Sequence, residues 1–247
     1  MKHFLLEYTT TVIRLVEIIA AITGVFCYKK YKETAGKYFI FFLVYIAILE
    51  IIGSYVVYVR PDRFLYFLQG TLIEKNYWLY TICWKIIAIL FFSFYFYKVL
   101  KSYKLKSIVR YTASSYLIFS VVYVIFNWKA FFHMFFPVLS ILGALIVFMC
   151  STFYFVELMQ SERILFFYKY LSFYIAAVIF IWWLIITPLT FYDLFYDKFD
   201  LTKPFRHPEF FGDINYVFLR RKIYLFSNIF MYLTYTFALL WCRPQND

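Results

Sequence analysis

Histidine, cysteine, glycine and proline are all scarce in this chain, with 3, 4, 6 and 6 residues respectively among 247. His3, His133 and His207 fall at the N-terminus and in two separate loops, too scattered to assemble a metal site. Cys27, Cys83, Cys150 and Cys242 lie inside or at the ends of apolar segments with no close paired spacing. That pattern excludes a disulfide framework and a cysteine-rich metal site, and the four read as small buried hydrophobes. No His-Glu-x-x-His, Gly-x-Ser-x-Gly or glycine-rich phosphate loop occurs, so enzyme readings lose most of their support and no cofactor is implied. Charge is scarce too, at 16% of residues against roughly 25% in soluble domains.

What the chain has instead is apolar length. Hydrophobic residues make up 64% of it, and they fall into seven blocks at about 8–27, 38–59, 77–97, 111–127, 136–156, 170–192 and 223–242. Most are near 20 residues, the length at which a helix rising about 1.5 Å per residue crosses roughly 30 Å of hydrocarbon. A transmembrane barrel would need alternation of apolar and polar residues over about 10 positions. Runs such as Ile86-Ile87-Ala88-Ile89-Leu90-Phe91-Phe92 have no period of two. The fold class that follows is all-α, a polytopic transmembrane bundle of about seven spans forming one domain over 1–247. The fourth block is the shortest and is the candidate for a tilted or re-entrant element. Arg14 and Glu17 interrupt the first block and no small-x-small cleavage site follows it, so it is expected to stay as a helix and not to leave as a signal peptide. Tyr and Trp gather at block ends, as side chains with an apolar body and a wet tip do at the headgroup level.

The basic residues set an orientation and need no nucleic acid to explain them. Lys29, Lys30, Lys32 and Lys37 crowd the first connection, and Lys98, Lys101, Lys104, Lys106 and Arg110 the third. The second carries Arg60, Arg63 and Lys75, and the fourth only Lys129. Positive charge marks the cytoplasmic side, which puts the N-terminus outside and the C-terminus inside; Arg220, Arg221 and Lys222 pull the other way. The connection 193–222 is the one long loop. Phe195, Tyr196, Phe199, Phe205, Phe210, Phe211, Tyr216 and Phe218, with turns at Pro204 and Pro208, give it enough apolar area for an ordered extracytoplasmic cap. Lying in the headgroups is the alternative.

Ionisable residues inside spans carry the most information, because each costs several kcal/mol near the bilayer centre. Arg14, Glu17, Glu50 and Lys85 sum to zero charge, and the last three lie at a common depth of about 12 to 15 Å from the predicted outer ends. Arg14 and Glu17 share a helix face at i, i+3. A buried network of Arg14, Glu17, Glu50 and Lys85, joined by Asn228 of the last block, is expected in the outer half. Such a set serves either as a substrate, ion or proton site or as a clasp fixing helix packing. Pro188 should kink the sixth helix. A rhodopsin-type Schiff base is excluded, since 223–242 has no lysine.

The segments Trp241-Cys242-Arg243-Pro244-Gln245-Asn246-Asp247, Trp182-Trp183-Leu184-Ile185-Ile186-Thr187-Pro188 and Gly70-Thr71-Leu72-Ile73-Glu74 resemble a family of small multi-pass inner-membrane proteins from Bacteroidetes, over the whole chain. The resemblance implies a bacterial inner (cytoplasmic) membrane and nothing catalytic. The functional expectation is a sensor or accessory subunit working through a separate cytoplasmic or membrane partner. A small transporter or oligomeric pore using the buried charges, as a homo-oligomer if need be, is the alternative.

Overall fold

In the computed structural model, residues 8–198 and 214–244 are described. Seven helices are long and apolar enough to cross a membrane, so the chain is a multi-pass helical bundle. They are α1 (Thr9–Phe26), α2 (Gly36–Tyr58, its last turn 3-10), α3 (Tyr77–Val99), α4 (Tyr103–Phe126), α5 (Pro137–Met159), α6 (Leu171–Lys198) and α7 (Ile214–Trp241). Among the described residues there is no strand, only an isolated bridge between Tyr170 and Arg243.

Three boundaries move from the sequence reading, and each for a physical reason. The fourth block becomes one of the longer helices, 24 residues, and not a short re-entrant element. Its first two turns are Tyr103 to Arg110, too basic for a hydropathy reading, and the two residues that lead into them are fixed from another helix. The Glu157 carboxylate from the end of α5 does this, accepting the N–H of Lys101 at 2.8 Å and of Ser102 at 2.7 Å. Beyond the sixth and seventh blocks the chain stays helical, to Lys198 and from Ile214. The remainder of the expected cap, 199–213, lies outside the described residues.

Packing runs α1 against α2 and α7, α2 against α3, α3 against α5, α5 against α6, and α6 against α7. These contacts close a ring of six helices. α4 lies outside it, against α3 and α5. That position explains why α4 is the least buried span, with Val109, Tyr116 and Ser120 its buried residues. Its exposed Ile118, Ile125 and Phe126 are the surface a helix offers to lipid. Where α3 and α5 touch, Gly143 lets them close: a Cβ there would stand 2.9 Å from Ile89.

The ring is filled unequally along its length. Toward the face that holds the C-terminus, Phe39, Phe92, Tyr95, Phe96 and Tyr235 are all within the buried core. Phe42 stacks on Phe91 with centroids 4.1 Å apart, and Phe39 meets Tyr235 edge-on at 4.8 Å. Such pairs add specific aromatic contact energy to close packing. A hydroxyl pair, Tyr95 with Ser172 at 2.9 Å, ties α3 to α6 through this plug.

The C-terminal end of α7 is held by the short connection between α1 and α2. A helix end leaves carbonyls without intrahelical donors. Lys30 Nζ donates to the carbonyls of Leu239 (3.1 Å) and Leu240 (2.8 Å), and the Tyr31 hydroxyl to those of Leu239 (3.1 Å) and Cys242 (2.9 Å). The Arg243 N–H then donates to Lys169 O at 3.0 Å. Burial raises the ionisation of the Tyr31 hydroxyl above the usual phenol range and pushes the Cys242 thiol up to about 11.

Candidate functional site

The half of the ring nearer the N-terminal face is built from different material. On α1, Arg14 and Glu17 sit one turn apart; Glu17 is only 3% exposed. The Tyr232 hydroxyl of α7 faces its carboxylate, while Oε2 has no hydrogen-bond partner. On α2, Glu50 accepts the Tyr80 hydroxyl at 2.9 Å and Trp84 Nε1 at 3.4 Å. Arg14 Nε approaches Glu50 Oε2 at 4.0 Å, within ion-pair range but too far for a hydrogen bond. Arg14, Glu17 and Glu50 therefore do come together, with two carboxylates to one guanidinium.

Local sequence seats this group. Gly53, one turn beyond Glu50, leaves room for Tyr80: a Cβ there would fall 2.7 Å from the Tyr80 hydroxyl oxygen. Asn76 Nδ2 donates to the Gly53 carbonyl at 2.8 Å, fixing the start of α3 beside it. The stretch Thr81–Ile87 of α3 is a π-helix. Its i→i+5 bonding widens the turn, so residues four and five apart flank one face, and such insertions collect at functional sites. Tyr80, Trp84 and Lys85 stand in that relation.

Lys85 takes a different set of partners from the one its charge suggested. Its ammonium donates to Ser140 Oγ of α5 and lies 5.4 Å from the centre of the Phe135 ring. Its own carbonyl accepts the Tyr116 hydroxyl of α4, which also reaches Leu139 O at 3.1 Å. Asp193, at the N-terminal-face end of α6, pairs with Arg220 of α7 through bonds of 2.8 Å and 3.0 Å. It also accepts the Tyr216 hydroxyl at 2.7 Å. Arg220 covers the Tyr224 ring at 5.0 Å.

Asn228 stays within its own helix, Nδ2 donating to Tyr224 O at 2.7 Å, and is bonded to none of the four charges. Pro188 removes an N–H from α6 without ending it, and one residue before it the Thr187 hydroxyl donates to the Trp183 carbonyl at 2.6 Å.

Two near-parallel indoles, Trp84 and Trp182, face each other with centroids 6.5 Å apart and planes 14° from parallel. Trp182 Nε1 is buried without an acceptor.

Sequence reasoning missed Tyr80, Trp84, Tyr232, Ser140, Asp193 and Arg220. The signal for Tyr80 and Trp84 was present, i and i+4 on a helix beside Lys85. Asp193 and Arg220 were assigned to a loop because charge was read as the end of a span, whereas here it continues the helices. No group of His, Cys, Asp and Glu among the described residues could hold a metal ion. What the arrangement can do is present two opposite charged surfaces, one on each side of α3, above a closed aromatic plug. Comparison of the chain with protein-family models, curated proteins and solved structures gives no match.

Proposed function

We propose that the protein is a bacterial inner-membrane sensor or accessory subunit that binds a small polar molecule from the side of its N-terminus and acts through a separate protein on the other side. The observation that carries this reading is the unequal filling of the ring. Ionisable groups occupy the half toward the N-terminal face, and the half toward the C-terminal face is packed with Phe39, Phe92, Tyr95, Phe96 and Tyr235. Ionisable groups in one half, stopped by close-packed rings in the other, suit recognition better than passage. In this reading the basic loops face the cytoplasm, as positive charge does in short loops. The described connections on that face, such as 27–35 and 100–102, are too short to fold as an output domain, so a partner has to read the bound state. Lys29 and Lys32, with Lys101 and Lys104 on another connection at that face, offer it exposed basic charge.

The π stretch and Pro188 favour a second reading, a small transporter, because both weaken helix continuity beside the charges. The two readings part in one experiment. The tagged protein is purified in mild detergent from its own host, co-purifying proteins are identified by mass spectrometry, and the protein alone is reconstituted into liposomes for flux. A stoichiometric partner lost on Lys101→Glu with Lys104→Glu supports the sensor. A partner-free protein that carries solute across the liposome membrane supports transport and removes the sensor.

A further inference from the structure

A cleft of about 280 Å³ lies at the C-terminal face, between the turn from α3 into α4 and the end of α5. The turn is only residues 100–102, with Leu100 and Ser102 extended. Val99, Tyr154 and Leu158 are the buried part of the lining. Its cations come from two different connections, an exposed Lys101 from the α3–α4 turn and a half-buried Arg163 from the chain between α5 and α6.

Among the described residues, neither Lys101 nor Arg163 has an ion pair or a side-chain hydrogen bond. The carboxylate in the lining is that of Glu157, and each of its oxygens accepts a backbone N–H, from Lys101 and from Ser102. Lysine and arginine keep their protons at neutral pH, so the lining holds two cations against one carboxylate. Ser102 stands at the N-cap of α4 and its side chain caps nothing, so the positive end of that helix adds to the excess. Cations gathered around one cleft and left without a carboxylate suit the oxygens of a phosphate, which they bind through charge-assisted hydrogen bonds.

The adjoining chain favours a phosphate that carries hydrocarbon. Arg163 opens the connection Glu162–Lys169, a 3-10 helix broken at Phe166. Leu165 is 71% exposed, and Ile164 and Phe166 beside it are exposed as well. Lys169 closes the segment, its ammonium 4.9 Å from the centre of the Phe166 ring. Apolar side chains bared between two cations, at the ends of two spans, are what a segment lying at the headgroup boundary presents. A free phosphate leaves that surface bare, whereas a phospholipid covers it.

We propose that the cleft binds the headgroup phosphate of an anionic phospholipid from the leaflet at the C-terminal face, between Lys101 and Arg163, while Ile164, Leu165 and Phe166 enter the same leaflet. The bound lipid ties the α3–α4 turn to the α5–α6 connection and so secures the start of α4, the span that lies outside the ring. An anionic headgroup is preferred because a choline brings its own cation to a lining already in positive excess.

The test holds the tagged full chain in mixed micelles with equal amounts of phosphatidylglycerol and phosphatidylcholine of identical acyl chains, and quantifies the retained lipid by mass spectrometry after washing. Phosphatidylglycerol should be retained in at least about tenfold excess. Arg163→Gln and Lys101→Gln should each lower that preference about fivefold, the effect of one cation close to an anionic headgroup. Lys32→Gln removes an exposed cation of the same face outside the cleft and should change nothing. Gln160→Lys adds a cation to the lining and should raise the preference, which keeps the test decisive if a glutamine variant does not fold. A preference untouched by Arg163→Gln and Lys101→Gln, lowered equally by Lys32→Gln, or not raised by Gln160→Lys overturns the site. Washing with millimolar inorganic phosphate should leave the phosphatidylglycerol bound, and its displacement assigns the cleft to a free anion and overturns the lipid. Arg163 is not among the charges offered to a partner protein, so failure of Arg163→Gln to act leaves the sensor reading to its own experiment.

Discussion

The connection between α1 and α2 offers a quantitative test of how the bundle closes on itself. Tyr31 is 1% exposed, and its hydroxyl is the donor that reaches both Leu239 O and Cys242 O. Tyr31→Phe keeps the ring and its packing but deletes both bonds. Leu239 O retains Lys30 Nζ at 3.1 Å, so the principal loss falls on the buried carbonyl of Cys242. An acceptor left unsatisfied in that way costs about 1–3 kcal/mol. Lys30→Met removes a charge-assisted donor at the negative end of the α7 dipole, where about 0.3–1 kcal/mol is typical. Because the two side chains share Leu239 O, the double variant should depart from additivity by about 0.5 kcal/mol or more. The assay is reversible unfolding in mixed micelles followed by Trp fluorescence. The pH dependence has a definite sign. Burial raises the Tyr31 ionisation above its unfolded value, so its contribution is complete below the ordinary phenol value of about 10 and is lost as pH climbs above it. Tyr31→Phe should abolish that alkaline component. A variant within about 0.3 kcal/mol of wild type at neutral pH, with an unchanged alkaline slope, would refute the clasp.

Four further outcomes follow from the packing and the charges. Gly53→Ala sets a Cβ against the Tyr80 hydroxyl, and an overpacked contact of that kind should cost about 1–3 kcal/mol in the same unfolding assay, partly recovered by Tyr80→Phe. Glu157→Ala removes the acceptor of the Lys101 and Ser102 N–H groups that lead into α4 and should cost about 1–2 kcal/mol, with faster hydrogen exchange at those two amides as the local sign. Lys85→Met and Glu50→Gln should be additive within about 0.5 kcal/mol, because each residue has its own partners; a larger coupling energy would restore a single four-charge network. Cys242, buried and with its thiol held up to about 11, should resist maleimide at neutral pH in the folded protein and react on unfolding.

Most of the fold was legible because the bilayer imposes its own length on a helix. Seven apolar blocks became seven spans, and the errors fell where charge sits at a helix end. Lys104, Lys106 and Arg110 hid the start of α4, whose lead-in residues are held by Glu157, a distant residue that no local pattern reveals. Asp193 and Arg220 looked like loop because the structure satisfies them against each other, a pairing between helices and not along one. The site was half legible for the same reason. A common depth brought Glu17 and Glu50 together, with Arg14 one helical turn from Glu17 on the same face. Depth alone does not give rotation about the helix axis, and the π turn at Thr81–Ile87 sets the rotation of α3. Trp84 thereby meets Glu50 while Lys85 meets Ser140. Aromatic residues were read as lipid-interface anchors, yet Tyr80, Trp84 and Tyr232 hold carboxylates, a role decided by which neighbour each hydroxyl or N–H finds.

The division of the ring into a charged half and a plugged half is tested most directly by thiol access along α3. Single cysteines at Tyr80, Trp84, Ala88, Phe92 and Tyr95, in a background with the four native cysteines replaced, are treated with a charged, membrane-impermeant thiol reagent from each side of sealed vesicles. Labelling of Tyr80→Cys and Trp84→Cys from the N-terminal side alone, falling to none at Phe92→Cys and Tyr95→Cys from either side, is the expected result. Labelling of Trp84→Cys at equal rates from both sides, or of Tyr95→Cys from the C-terminal side, would contradict it.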